Sequence, residues 1–286
     1  MSFTQNIKNG WAITKISLHY AFNHRIVMLF TFCSALIQVA IFCMFSLLLV
    51  IIAAATSYSV VSVLMVLGIP YLILARFIAV LCATAQSAFV THLIEDKPLS
   101  VGQAFTIARQ RWQVSIYFAI TTVFVNKLIR TMFRNKNSFS GLFSTILGLL
   151  ATLTWQAATF FMIPIIALEQ TSFTDSIKVS ANTFKKVWGE SVSGSTNISA
   201  LFFLVTLVGC GTLVLVSSLI NAVIPPLGFL ILVPGCMTII IATLTLSKTT
   251  VVIFRTITYL YATKGITGPF DAALIKTTFV PENKHL

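Results

Sequence analysis

The chain has 286 residues, 57% of them hydrophobic and only 9% charged, with a mean hydropathy of +0.94. Soluble domains are roughly half apolar and about a quarter charged, so a large soluble helical core, which would need many more charges to coat it, is excluded. The net charge of +12 does not require nucleic acid as a partner. An anionic membrane leaflet attracts Lys and Arg as well, and no stretch has the basic, aromatic-interleaved pattern of a soluble nucleic-acid module.

In chain order, Met1 to Arg25 is polar and mixed. It lacks an apolar core followed by a small-residue cleavage site, so the first apolar run is expected to act as an uncleaved insertion signal. Six runs read as membrane segments, the third of them short: Ile26–Ala55, Val60–Leu93, Val114–Leu128, Leu142–Leu168, Ala200–Val223 and Leu227–Ala262. The second and sixth exceed the usual crossing length of about 20 residues, so they must tilt, kink or project. Pro70, Pro164, Pro225, Pro226 and Pro234 supply kinks or breaks.

Basic residues sort by side. Lys8, Lys15 and Arg25 precede the first run. Lys97, Arg109 and Arg111 follow the second, and Lys178, Lys185 and Lys186 follow the fourth; Lys264, Lys276 and Lys284 close the chain. The turns TSYS and NAVIPP after runs one and five carry no charge. The positive-inside rule then puts both termini in the cytoplasm of an inner-membrane, multi-pass protein. The connection after run three disagrees, because Lys127, Arg130, Arg134 and Lys136 fall on the outer side.

Two Trp-bearing stretches follow runs two and four. In the first, Pro98 ends the run and Ser100 with Gln103 makes an S-x-x-Q capping box. Val101, Ala104, Phe105, Ala108 and Trp112 then recur on one helical face. In the second, Thr174 is the expected N-cap and Asp175 suits the first turn. Phe173, Ile177, Ser180, Phe184 and Trp188 repeat every three or four residues, Lys185 and Lys186 suit the last turn, and Gly189 closes the helix. Amphipathic elbows of this kind either lie among headgroups or pack under the bundle, and both readings fit. Each elbow comes after an acid that closes a run, Glu95 in LIED and Glu169 in ALEQ, which gives a weak internal repeat of two spans plus one elbow. The expected fold class is an all-α membrane protein with about six transmembrane helices, two cytoplasmic elbows and an N-terminal amphipathic segment. It forms one polytopic domain, 1–286, with a cytoplasmic N-terminus at 1–25, the bundle at 26–262 and a cytoplasmic tail at 263–286.

The stretch TWQAATFFMIPIIALEQ, then DSIKVSANTFKKVWGE, then YLYATKGITGPFDAALIKTTF resembles an uncharacterised family of prokaryotic polytopic membrane proteins, a DUF6159-like domain of unknown function. The shared features are a Trp-bearing span ending in a Pro and an acid, the Trp188-Gly189-Glu190 end of the Ser-containing helix, and Tyr261 to Gly265 followed by Phe270 and Asp271. The resemblance covers nearly the whole chain. It implies the fold and carries no activity.

Little in the sequence points to chemistry. Cys33, Cys43, Cys82, Cys210 and Cys236 lie inside apolar runs, odd in number and without metal-ligand spacing, and read as small buried hydrophobes. His92, Glu95 and Asp96 would share a face if their helix ran on, as half a metal site completed by Glu169 or Glu190; the plainer reading is polar residues ending a span. No nucleophile elbow, H-E-x-x-H pair or phosphate loop occurs. We expect no enzyme, no metal and no cofactor.

The unusual residues are cationic. Arg76 lies mid-run, Lys248 within run six, and Arg255 nearer its end, with no acid at comparable depth. A central Arg or Lys costs about 2.5–3.5 kcal/mol, so such residues mark pathways or snorkel to headgroups. If run three continues as helix, Lys127, Arg130 and Arg134 form one stripe that Arg76 could extend inward. Two functions follow. One is an oligomeric pore or transport component favouring anions or anionic headgroups through these residues. The other is a non-transporting organiser whose elbows, with Trp112, Trp188, Lys185 and Lys186, hold anionic lipid or a partner protein. Membrane lipids are the expected partner, with self-association to a homo-oligomer and no nucleic acid.

Overall fold

The computed structural model describes residues 15–55, 60–133, 138–223 and 227–266. They are helical almost throughout, and no strand occurs among them. Residues 15–23 form α1, followed by α2 (Ile26–Ala55), α3 (Val60–Ile94), α4 (Val101–Gln110), α5 (Trp112–Met132), α6 (Ser138–Ala158), α7 (Met162–Leu168), α8 (Phe173–Lys186), α9 (Trp188–Val223) and α10 (Leu227–Lys264). Six stretches are long and apolar enough to cross a bilayer: Ile26–Ile52, Val66–Ile94, Trp112–Met132, Phe143–Leu168, Ile198–Asn221 and Leu232–Lys264. The chain is an all-α polytopic membrane protein. The helices overrun the apolar runs because hydropathy marks where lipid contact ends, whereas backbone hydrogen bonding continues into polar sequence. This is clearest at α9, which begins at Trp188 rather than Ala200 and runs through Gly189, the residue expected to stop the preceding helix; the turn falls at Val187 instead.

The chain forms two compact units. The first takes Met1–Phe32, Val187–Tyr261 and Gly265–Leu286. Its described core contains Ala21, Val27 and Phe30 near the start, Ile198 and Phe202 on α9, and Ile253, Phe254, Ile257 and Leu260 on α10. α10 is rich in threonine, and the hydroxyls of Thr250 and Thr256 return to the carbonyls of Leu246 and Val252. These local bonds satisfy both hydroxyls within the helix itself. Thr249 donates across to Thr31 at 2.9 Å.

The second unit takes Cys33–Lys186 and Ala262–Lys264. α3 is its axis, packed by α4, α5 and α7. From Val80 to Thr91 α3 is largely buried, and small residues such as Ala85, Ser87 and Ala88 let neighbours approach. The expected capping box opens α4: Ser100 Oγ accepts the Gln103 N–H at 3.2 Å, and Gln103 Oε1 accepts the Ser100 N–H at 2.8 Å. Ala104 and Ala108 make the buried face of α4 against the unit. At Arg111 the chain bends, so Trp112 opens α5 and does not close the elbow.

The fourth crossing, Phe143–Leu168, is not continuous. It breaks at Thr159–Phe161 between α6 and α7. Pro164 has no N–H, and its ring excludes a straight helix past the Phe160 carbonyl. The chain tightens into i→i+3 bonds, Phe160 N–H to Ala157 O at 3.3 Å and Met162 N–H to Thr159 O at 3.2 Å. The freed N–H of Phe161 is received by Ser180 Oγ of α8 at 3.0 Å, with both residues fully buried. Pro70 and Pro234, by contrast, sit inside unbroken α3 and α10. Pro225 and Pro226 lie outside the described residues.

α8 starts two residues earlier than expected. Ser172, and not Thr174, caps it, accepting the Asp175 N–H at 3.3 Å while donating to the Asp175 carboxylate at 2.7 Å. Its buried face is Ser176, Ser180, Thr183 and Phe184. Phe184 meets Phe160 at 5.4 Å between ring centroids, and Phe160 meets Phe161 edge-on at 4.8 Å.

α3 ends in a left-handed cap. Asp96 has φ +52°, and the Lys97 N–H reaches back to the His92 carbonyl at 2.8 Å. Asp tolerates this region better than most residues, and Pro98 prevents continuation. Gly265, at φ +70°, ends α10 in the same way, its N–H on the Tyr261 carbonyl at 3.0 Å. The last turn of α10, part of the second unit, then presents Lys264 to Glu95 at 2.8 Å, and Lys97 takes the other Glu95 oxygen. Hydrogen bonds from Lys264, then from Lys97, hold the Glu95 carboxyl far below the usual carboxylate range, at about 2.

Two outcomes are expected. Ser180→Ala leaves a buried N–H without its acceptor, a loss of about 1–3 kcal/mol; Thr174→Ala, exposed on the same helix, should stay within about 0.5 kcal/mol of wild type. Thermal unfolding in one detergent compares the two. The second concerns pH. A depressed folded-state pKa gives stability that is present above the unfolded value near 4.3 and is lost as pH falls toward the folded one. Wild type should lose stability from about pH 5 toward pH 2 more steeply than Glu95→Gln, and the difference between the two curves isolates this carboxylate from Asp175.

Candidate functional site

Arg76 is exposed on the flank of α3, inside the Val66–Ile94 crossing. Its guanidinium carbon lies 5.9 Å from the ring centroid of Phe118 on α5, which is itself buried. Phe118 belongs to the stripe Ser115, Phe118, Ala119 and Thr122, the buried face of α5. The same residue therefore fills the α3–α5 seam and presents its π-face to the cation at the edge of that seam. Among the described residues no ion pair involves Arg76.

The magnitudes decide what this contact can do. A cation–π contact contributes about 0.5–2 kcal/mol. An Arg at a helix centre costs about 2.5–3.5 kcal/mol. Phe118 therefore offsets part of the cost and leaves a cation that still attracts an anion or water.

Lys127 and Arg130, three residues apart near the end of α5, are both exposed beside exposed Leu128 and Met132. Arg134 lies outside the described residues. Phe118 and Lys127 are nine residues apart on α5, roughly 13.5 Å along the axis. Phe124, exposed and apolar, lies between them. Arg76 therefore does not continue the Lys127–Arg130 stripe directly: an apolar interval separates them.

At the elbows, Trp112 is exposed at the start of α5, and Lys185 and Lys186 are exposed in the last turn of α8. Trp188 opens α9. In the first unit, Lys248 is exposed and Arg255 half-buried, seven residues apart on α10. These two belong to a different unit from Arg76.

Because α3 stops before Asp96 turns left-handed, His92, Glu95 and Asp96 do not share a helical face. His92 Nδ1 sits 3.0 Å from the Ala88 carbonyl, and Glu95 is taken by two lysines. Among the described residues no three His, Cys, Asp or Glu side chains gather as a metal site. Sequence reasoning missed Phe118 as the partner of Arg76. One of 24 phenylalanines, it carries no local mark, and only the α3–α5 packing singles it out.

The Tyr261–Gly265 motif and the acid of LIED, far apart in sequence, meet as the Glu95–Lys264 pair. No curated protein and no solved structure matches the chain. The profile of a family of unknown function matches residues 60–270, from the start of α3 past the end of α10. The chain therefore belongs to that family of unknown function, DUF6159.

Proposed function

We propose that this protein is a non-transporting organiser of its membrane, holding anionic lipid headgroups with outward-facing cations. The observation that carries the reading is the exposure of Arg76 on an apolar helix with a π-face as its neighbour and, among the described residues, no carboxylate paired to it. A lipid phosphate, reached by snorkelling and local thinning, supplies the missing anion. Exposed Lys127, Arg130, Lys185 and Lys186 extend the same chemistry to the two ends of the spans. Each cation near an anionic surface contributes about 1 kcal/mol. In this reading both termini are cytoplasmic and the elbows lie at the inner leaflet.

A pore or transport component is the second reading. The exposure of Arg76 favours one form of it, in which another copy of the chain covers the residue and closes an anion-attracting wall.

Nanodiscs separate the two. In phosphatidylglycerol the wild type should unfold several degrees higher than in phosphatidylcholine, and Arg76→Gln should lose much of that difference. Equal unfolding in both lipids overturns the organiser reading. So does anion flux through reconstituted protein whose selectivity shifts in Arg130→Glu.

A further inference from the structure

α9 and α10 of the first unit run antiparallel, in a register fixed by three side-chain contacts. Thr206 Oγ1 donates to Thr243 Oγ1 at 2.8 Å. A Cβ at Gly209 would stand 3.3 Å from Ile239 Cδ1, and one at Gly235 would stand 2.9 Å from Leu213 Cδ1. As the α9 number rises, the α10 number falls. Cys210 and Cys236 lie between the second and third of these contacts, where this register sets them opposite each other.

The local sequences explain how two sulfurs come together there. Cys210 sits in Gly209-Cys210-Gly211, and Cys236 follows Gly235. Glycine beside each cysteine removes the side chains that would hold the helices apart. A disulfide requires Cα atoms within about 7 Å, which facing positions reach when helix axes are about 8–10 Å apart, each Cα lying about 2.3 Å from its axis. Both thiols are free and half-buried.

Cys210 is also reachable from outside. It lines a groove of about 330 Å³ along α9, with Phe203, Thr206, Leu207, Gly211 and Val214. Phe203, Leu207 and Val214 are exposed. The pair lies within the Ile198–Asn221 and Leu232–Lys264 crossings, so water-borne, charged oxidants do not share its surroundings, and lipid-soluble ones do.

We propose that Cys210 and Cys236 form an oxidisable dithiol within the membrane, closed to an interhelix disulfide by a lipid-soluble oxidant of the quinone class. Two S–H bonds break and one S–S bond forms. The two electrons and two protons released convert the quinone to its quinol. The product pins α9 to α10 at a point where the reduced helices are joined by side-chain packing and one Thr–Thr bond. A thiol reductant reverses the step by exchange.

The test uses the full chain in nanodiscs treated with decyl-benzoquinone. Free thiols, counted after denaturation, should fall from five to three, with one quinol formed per chain. Peptide mass should show a Cys210–Cys236 link two hydrogens lighter, which dithiothreitol restores. Cys210→Ser and Cys236→Ser should each keep all remaining thiols. Cys43→Ser, which removes an exposed cysteine elsewhere, should still lose two, and so guards against a result caused by misfolding. Retention of five thiols, a quinone adduct at either sulfur, or a disulfide between two copies overturns the proposal.

Discussion

A single hydrogen bond, from the Phe161 N–H to the Ser180 hydroxyl, permits the architecture of the second unit. At membrane depth no water is at hand for a freed backbone group, and a broken helix survives only where protein supplies the partner. Ser180 does so from α8, within a buried face of Ser176, Thr183 and Phe184. With that N–H satisfied, the chain can end α6, turn at Thr159–Phe161 and start α7 in a new direction against α3. The phenylalanines at 160, 161 and 184 then fill the space around the turn. The polar character of α8 is therefore partly structural: the hydroxyl residues Ser176, Ser180 and Thr183 face inward.

The same constraint is met at several threonines. Thr91, Thr206, Thr250 and Thr256 return their hydroxyls to their own helices. Thr249 and Thr206 also reach hydroxyls on neighbouring helices. Such cross-helix bonds average about 0.6 kcal/mol in membranes, so they set register more than they add stability. Close approach at glycine or alanine supplies the packing, as at Ala104 and Ala108 of α4 and at Gly209 and Gly235.

Arg76 stands apart because its cost is met incompletely from within. Phe118 offers a π-face, and two of the described acids are engaged elsewhere: Glu95 closes the ends of α3 and α10, and Asp175 holds Ser172 and Lys178. A chain with seven acids against 19 basic residues cannot pair its cations internally. The remainder must be met by the surroundings.

By itself the sequence determined the class, the six crossings and several local devices. Apolar run length sets how many times a helix can cross, and the Ser100–Gln103 box depends on three-residue spacing alone. It read the helix boundaries less well. Hydropathy falls before hydrogen bonding stops, so α9 begins twelve residues before its expected start at Ala200. Trp112 and Trp188 open helices instead of closing them. The tertiary structure decided what depends on distant residues meeting. A break at Pro164 needs Ser180, while Pro70 and Pro234 stay within continuous helix. Glu95 finds Lys264 across 169 positions. Arg76 finds Phe118, and Cys210 finds Cys236. Even where glycines flank the cysteines, nothing local names the partner, because each contact follows from how helices pack and not from spacing along the chain.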